Sequence, residues 1–215
     1  MAVTRSERRY LPAAGHDWFL PLYDPLTRLL GVESARLALL EQAALKPGFS
    51  VLDVGCGTGT LAVLIKQRHP NVDVVGLDPD PRALRRAKRK AERAGSSVRF
   101  DQGFADALGY PDRRFDRVFS SMMFHHLEAH EQQSMLLEIR RVLKPGGRLE
   151  LLDFDGPESH RHGGLSRLFH SHHRLHGNAP DRIVTLIARA GFADGRMIES
   201  RRTLFGRIAF FQATA

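Results

Sequence analysis

The sequence predicts an α/β fold, a doubly wound and mostly parallel sheet, and three observations carry that prediction. The first is the segment Val51-Leu52-Asp53-Val54-Gly55-Cys56-Gly57-Thr58-Gly59-Thr60-Leu61, where a short apolar run holds an acid, three glycines alternate, and a stretch suited to a helix follows. This is the pattern of a buried strand entering a tight turn and a helix N-terminus, where glycines let a ligand approach the backbone closely. The second is Val72-Asp73-Val74-Val75-Gly76-Leu77-Asp78, another apolar run that ends in an acid. The third is the alternation of strand-like and helix-like patterns from residue 49 to residue 154, which indicates parallel strands joined by right-handed crossovers.

Taken in order, residues 1–32 form an N-terminal segment rich in aromatics and prolines, among them Tyr10, Trp18, Phe19, Pro21, Tyr23 and Pro25. The prolines argue against one continuous helix there. Glu33 to Leu45 has helical periodicity and stops at Lys46-Pro47-Gly48. A strand is expected at 49–54, a helix at 58–68, a strand at 72–77, and a helix that starts at Pro79 or Asp80 and ends at Gly95. Val98 to Asp101 reads as a third strand and 114–121 as a fourth. A helix at 129–143 stops at Lys144-Pro145-Gly146-Gly147, and a fifth strand follows at 148–154. Residues 155–178, rich in His, Gly, Ser and Arg, break the rhythm. A helix at 181–190 ends at Gly191, and two last strands are expected near 195–202 and 205–213. In such a sheet ligands sit beyond the C-terminal ends of the strands.

A chain of 215 residues is long enough for one domain with a sizeable core. Its net charge is +8, and the densest basic run is Arg82, Arg85, Arg86, Lys88, Arg89, Lys90 and Arg93. Alanines and Leu84 interleave at helical spacing, so the run reads as the wet face of an amphipathic helix. No aromatics are interleaved to stack on bases, and a nucleic-acid partner is not expected. The single cysteine, Cys56, excludes an internal disulfide framework and reads as a small turn residue. The basic N-terminus lacks the apolar core of a signal peptide, and no apolar run reaches the roughly 18 residues of a membrane span. The expectation is a cytoplasmic protein.

The spacing of glycines and acids narrows the ligand. A dinucleotide fingerprint needs G-x-G-x-x-G, whereas Gly55, Gly57 and Gly59 make G-x-G-x-G and position 60 is Thr. Asp53 precedes the first glycine by two. An acid there repels a pyrophosphate and suits an ammonium group. Asp78, at the tip of the second strand, stands where an acid grips a ribose hydroxyl pair. S-adenosylmethionine has a ribose, an adenine and an ammonium but no phosphate. An oxidoreductase using NAD is therefore disfavoured.

The run Asp53-x-Gly55-x-Gly57-x-Gly59 with Asp78 closely resembles the cofactor site of the class I S-adenosylmethionine-dependent methyltransferases, and the likeness covers roughly residues 35–154. The nearest group is the small-molecule enzymes related to ubiquinone and menaquinone biosynthesis. The resemblance implies a Rossmann-like, doubly wound seven-stranded sheet, mostly parallel, closed by a C-terminal antiparallel hairpin. It implies cofactor contacts from Asp53, Gly55, Cys56, Gly57, Thr58 and Gly59 in the turn, and from Asp78 and Pro79 after the second strand. It also implies an acid facing the adenine amino group beside the backbone N–H of Ala105. Phe104 stands at that acid's place, so either Phe104 stacks on adenine or Asp106 supplies the polar contact. Ser120 and Ser121 match the fourth-strand tip that meets the methionine part of the cofactor. Arg141-Val142-Leu143-Lys144-Pro145-Gly146-Gly147 matches the turn before strand five and carries no chemistry.

Methyl transfer is an in-line attack on a sulfonium, so positioning can carry much of the catalysis. A base is needed when the acceptor arrives protonated. His125 and His126, in Met122-Met123-Phe124-His125-His126-Leu127, are the candidates just past the fourth strand. An ordering role for one of them is the competing reading. Trp18 and Tyr23 are candidates for the acceptor wall, with 1–32 as a lid segment on a catalytic domain of 33–215. Six of the eleven histidines, His160, His162, His170, His172, His173 and His176, fall in the 155–178 insertion. His172 and His176 have helical chelating spacing, but no local cysteine or carboxylate joins them, and the stretch reads as a substrate lid rather than a metal site. The reading is methyl transfer to a small organic acceptor. The alternatives are an RNA methyltransferase and a cofactor-binding regulator without catalysis.

Overall fold

The computed structural model describes residues 32–155, 180–203 and 206–215. The expected lid segment, with Trp18 and Tyr23, and the His-rich insertion, with its six histidines, lie outside the described residues. The elements run α1 (Val32–Gln42), β1 (Ser50–Val54), α2 (Thr60–Arg68), β2 (Asp73–Asp78), α3 (Pro81–Arg93), β3 (Arg99–Gln102), β4 (Phe115–Ser121), a 3-10 turn (Phe124–His126), α4 (Ala129–Val142), β5 (Leu143–Phe154), α5 (Pro180–Arg189), β6 (Ala193–Thr203) and β7 (Gly206–Thr214). The seven strands form one sheet in the order β3-β2-β1-β4-β5-β7-β6. Strands β1 to β5 pair in parallel, whereas β7 is antiparallel to both β5 and β6. This is the expected architecture, including the closing hairpin. No helix among the described residues is long and apolar enough to cross a membrane.

Alternation along the strands divides the apolar residues between two cores. Val51, Phe119, Leu152 and Phe210 face a layer built on α1, α2 and α3. Leu52, Val118, Leu151 and Phe211 face α4 and α5, among Met135, Ile139 and Ile183. A one-residue slip in any strand would exchange the two sets, which pins the register.

Most boundaries shift by one to three residues from expectation, and β5 by five; two of the shifts have a clear local reason. Helix α2 starts at Thr60 rather than 58 because its cap, Gly59, has φ 75 and cannot continue a helix backward. Strand β5 starts at Leu143 rather than 148. Leu143 already pairs with Phe115, and the Lys144-Pro145-Gly146-Gly147 stretch is absorbed as a register shift before Arg117 meets Arg148. The shift is held by two backbone bonds, Gly146 N–H to the Ala215 carbonyl (3.1 Å) and Ala215 N–H to the Gly147 carbonyl (2.9 Å).

The basic run on α3 is mostly exposed, as expected, with Arg86 and Lys90 half-buried. Lys90 turns inward and donates to the hydroxyls of Thr58 (3.1 Å) and Thr60 (2.6 Å), bracing the glycine turn from α3. Asp80 caps the other end of α3 by accepting from the Arg82 N–H at 2.8 Å.

The C-terminal end of α1 is fastened to the sheet by charge. Arg117 Nε donates to the Ala43 carbonyl (2.9 Å), and an Arg148 nitrogen donates to the Gln42 carbonyl (2.9 Å). The two arginines sit opposite each other on β4 and β5. Glu150 lies between them, 2.9 Å from Arg148 and 3.9 Å from Arg117, and Gln212 also donates to it. Because Glu150 is 1% exposed, losing its charge leaves two cations facing each other in the interior. Glu150→Leu is expected to cost about 3 kcal/mol, lowering the melting temperature by roughly 6–12 °C. A thermal melt unchanged within about 1 °C would contradict this account of how α1 is anchored.

Candidate active site

A cavity of about 650 Å³ opens beyond the C-terminal ends of β1, β2 and β4. The end of β1 supplies Asp53, the turn after it supplies Gly55, Cys56, Gly57 and Thr58, and the tip of β2 supplies Asp78 with Pro79 just beyond it. Gly103, Phe104, Ala105 and Asp106 form a third wall. Ser121, Met122, Met123, His126 and Leu127, with Glu128 and Glu131 from the start of α4, close the fourth. Most of the residues expected from sequence are thereby brought together.

The glycine turn is shaped by its bonds to β2. The Leu77 carbonyl accepts from the N–H groups of Gly55 (2.8 Å) and Cys56 (3.0 Å). One oxygen of Asp78 accepts from Gly57 N–H (2.8 Å), and the other accepts from Asp80 N–H (2.9 Å). A carboxylate offers about four lone-pair sites, so two remain for a ligand. Gly55 has φ 72, and a Cβ there would collide with Met123 on the cavity wall. Gly59 has a different duty. A Cβ at Gly59 would lie 2.7 Å from Ala87 Cβ and 3.0 Å from the Phe100 ring, so this glycine lets α2 sit close to α3 and β3 and does not face the cavity.

The two serines also separate. Ser120 is fully buried inside the sheet, while Ser121 is the one on the cavity wall. The backbone then bends sharply: Met122 has φ 58, a costly conformation for a side chain of its size. It is held there by its N–H bond to the Leu152 carbonyl at 2.8 Å.

The paired histidines divide their roles. His126 reaches the cavity. His125 Nδ1 lies 2.7 Å from Asp153 Oδ1, and the His125 N–H donates to the other oxygen at 3.3 Å. The His125 ring also packs edge-on to Phe154 at 4.9 Å and lies against His126 at 4.0 Å between centroids. His125 thus orders the turn that presents His126. Gln132 steadies the same turn by donating to the Phe124 carbonyl (3.0 Å) while accepting from Arg182 (2.7 Å).

Burial dominates the electrostatics. Asp53 is 1% exposed, and its carboxyl is raised to about 7, chiefly by burial and further by the charge of Asp78, against the lowering effect of Arg36. Asp78 is raised to about 6, again by burial, with the Asp80 and Gly57 amides opposing the shift. Burial also pushes the Cys56 thiol well above its ordinary value, which keeps it protonated and unreactive, as a turn residue should be.

Sequence reasoning missed Arg36, Met123, Leu127, Glu128 and Glu131, all on the cavity wall. Arg36 had a readable signal: it is a cation set into the apolar stripe of α1, between Val32 and Leu39-Leu40. Glu128 and Glu131 also had one, since their spacing is that of a capping box, and Glu131 accepts from the Glu128 N–H at 2.8 Å.

A pH-dependent stability follows from Asp53. Its folded-state pKa is raised from 3.8 to about 7, so the stability associated with its protonated form is complete below the unfolded value and is lost as pH rises through the folded one. Asp53→Asn is therefore expected to raise the melting temperature at pH 8 by at least about 3 °C. The gain shrinks below about pH 7 and vanishes near pH 4. Melts of both proteins across this range check it; a gain independent of pH would refute the assignment.

A family model described as a methyltransferase domain matches residues 51–147. The chain is 42% identical over 156 residues to a demethylmenaquinone methyltransferase of Deinococcus radiodurans, covering 71% of this chain and 64% of that protein. It is 40% identical over 152 residues to the protein of the same name from Thermus thermophilus, covering 69% and 68%. The chain thus spans about two thirds of the length of these curated relatives. A crystal structure of an S-adenosylmethionine-dependent methyltransferase from Aquifex aeolicus matches with a TM-score of 0.68 at 20% identity, over 91% of this chain and 97% of that one, which is a likeness of fold. With these relatives, the seven-stranded sheet and the acid–glycine turn that it presents, the chain belongs to the class I S-adenosylmethionine-dependent methyltransferases.

Proposed function

We propose that this protein transfers the methyl group of S-adenosylmethionine to a ring carbon of a small, quinone-type acceptor. The observation that carries the reading is one cavity with two kinds of wall: buried acids beside the glycine turn, and His126 with the apolar Met123 and Leu127 from the segment after β4. The names of the 42% and 40% identical relatives support the acceptor class.

The residues fit the cofactor. Asp53 Oδ2 is buried without a hydrogen-bond partner, as an acceptor awaiting a donor would be, and the ammonium group is such a donor. Asp78 has lone pairs left for the ribose hydroxyls, and Phe104 and Asp106 line the same cavity for adenine. When bound, the cofactor supplies an electrophilic methyl group on a sulfonium, leaving as a neutral thioether. The chain's own work is to hold the acceptor in line with that methyl group and to keep water away, which Met122, Met123 and Leu127 do as apolar wall. A quinone-type ring attacks best in its reduced, deprotonated form. His126, presented by the His125–Asp153 pair, is positioned to take the proton.

Two outcomes are expected. The ammonium favours ionised Asp53, so S-adenosylhomocysteine should bind up to about tenfold more tightly at pH 8 than at pH 6, with release of about one proton near pH 6. Calorimetry in two buffers of different ionisation enthalpy measures both. In assays with radiolabelled methyl groups and a short-chain demethylated naphthoquinol, His126→Ala should lower kcat by about a hundredfold while leaving the Kd for S-adenosylhomocysteine unchanged. Tight cofactor binding without transfer to any small acceptor would favour the non-catalytic reading, and transfer to RNA would favour the nucleic-acid one.

A further inference from the structure

Two places on the described surface set like charges against one another. On α3, Arg82, Arg85, Arg89 and Arg93 follow at steps of three and four residues and form one stripe, with the exposed Lys88 beside it. Glu92 is the single acid of that helix. Among the described residues, Arg85, Lys88, Arg89 and Arg93 form no ion pair. Like charges four residues apart oppose helix formation. On the terminal hairpin, Arg202 of β6 stands directly opposite Arg207 of β7. Like charges so placed oppose strand pairing. Asp155 offsets Arg207 at 2.9 Å, whereas the exposed Arg202 has no acid beside it among the described residues.

The topology brings both places to the end of the sheet where the cavity opens. Helix α3 begins just past the tip of β2, where the N–H of its cap Asp80 bonds to Asp78. Strand β7 runs antiparallel to β5, so its first residues lie beside the last of β5: Ile208 pairs with Phe154, and the Asp155 N–H donates to the Arg207 carbonyl at 2.9 Å. The cavity is therefore flanked by cations from α3 on one side and from the β6–β7 hairpin on the other. At the opposite end of the sheet several cations are paired within the chain, Arg141 with Asp112, Lys144 with Asp116 and Arg196 with Asp194.

Charge and chemistry select the partner. A single-stranded nucleic acid is gripped by aromatics set among the cations, and α3 has none. The apolar side of α3, with Ala83, Leu84, Ala87 and Ala91, is buried against the protein, so this helix offers charge alone and does not insert into hydrocarbon. A broad anionic surface relieves the repulsion on both flanks at once, and the attraction of each cation adds to the next. We infer that this end of the sheet docks on an anionic lipid bilayer through Arg85 and Arg89 on α3 and Arg202 on the hairpin, with the cavity mouth toward the headgroups. This rests on the quinone-type acceptor proposed above and deepens it by saying where that acceptor is collected: an alkyl-tailed quinol dissolves in the bilayer and enters the cavity without crossing water.

The test is co-sedimentation of the full chain with vesicles of phosphatidylcholine alone or of phosphatidylcholine with phosphatidylglycerol. Wild type should bind the anionic vesicles at least about tenfold more tightly, and lose that binding at about 1 M salt, where charges are screened within about 3 Å. Arg85→Glu with Arg89→Glu on α3, and Arg202→Glu on the hairpin, should each weaken it by about tenfold or more. Arg68→Glu, an exposed position at the end of α2 on the opposite side of the sheet, should change it by less than about twofold. A thermal melt of each variant reports its folding, and the comparison of the two vesicle types needs no variant. Methyl transfer to a long-chain demethylated naphthoquinol held in anionic vesicles should fall about tenfold in the α3 variant, while transfer to the short-chain analogue in solution stays within about twofold. Equal binding of wild type to both vesicle types, or none to either, overturns the inference alone if the short-chain quinol is still methylated. Tighter binding to single-stranded RNA than to the anionic vesicles also overturns it and makes the stripe a nucleic-acid surface. Vesicle binding without transfer to either naphthoquinol overturns the acceptor reading, and the collection of that acceptor from the bilayer with it.

Discussion

The short span where the tip of β2 receives the turn from β1 governs everything built above it. Three consecutive amides, from Gly55, Cys56 and Gly57, converge on the Leu77 carbonyl and the Asp78 carboxylate. The same carboxylate takes the Asp80 amide and so sets the entry into α3. Asp78 is thus a structural acceptor before it meets any ligand. Its two carboxylate oxygens join the starts of two crossovers, and its backbone carbonyl accepts from the Gly103 N–H (3.2 Å), which ties the third wall at 103–106 to the same strand tip. A loop left to its own entropy would sample many shapes; here the end of a buried parallel strand dictates one.

The cavity so formed is electrostatically unfavourable until it is filled. Asp53 and Asp78 are both buried and both raised, and Asp53 feels the charge of Asp78 as well as its own desolvation. Arg36 opposes part of this without a bond to show for it at Nε. Such groups destabilise the empty protein relative to an apolar wall of the same shape. They become favourable when a ligand brings complementary charges, and the same groups therefore reject ligands that lack them.

Around that wall the protein invests in rigidity. Lys90 crosses from α3 to Thr58 and Thr60, and Gln132 links Arg182 on α5 to the Phe124 carbonyl. Asp153, fully buried on β5, holds His125. The Glu150 cluster locks the end of α1. The braces from Lys90, Gln132 and Asp153 bear on the glycine turn and on the 122–127 segment, which line the cavity, and the Glu150 cluster holds the helix that carries Arg36. Preorganisation of this kind is what an in-line transfer requires, since the energy of a misplaced acceptor enters the barrier directly.

The amino-acid sequence alone determined the order of strands and helices, the parallel sheet and the acid–glycine turn, because these rest on local periodicity and on backbone conformations that only certain residues adopt. The seven strands and Asp53, Gly55, Gly57 and Asp78 were readable on that basis, and the wet face of α3 followed from its alternation of arginine and alanine. Where β5 begins was not readable, since the shift that absorbs Gly146 and Gly147 depends on bonds to Ala215 from the other end of the sheet. Four further points were decided only by the tertiary structure: that Ser121 rather than Ser120 reaches the cavity, that His126 faces it while His125 supports from behind, that Gly59 is packed against α3 and β3, and that Arg36 joins Asp53. Each depends on which way a side chain points and on what a distant segment places against it. Adjacent residues of like type carry the same local signal. Only the packing of the sheet against its two helical layers breaks that equivalence.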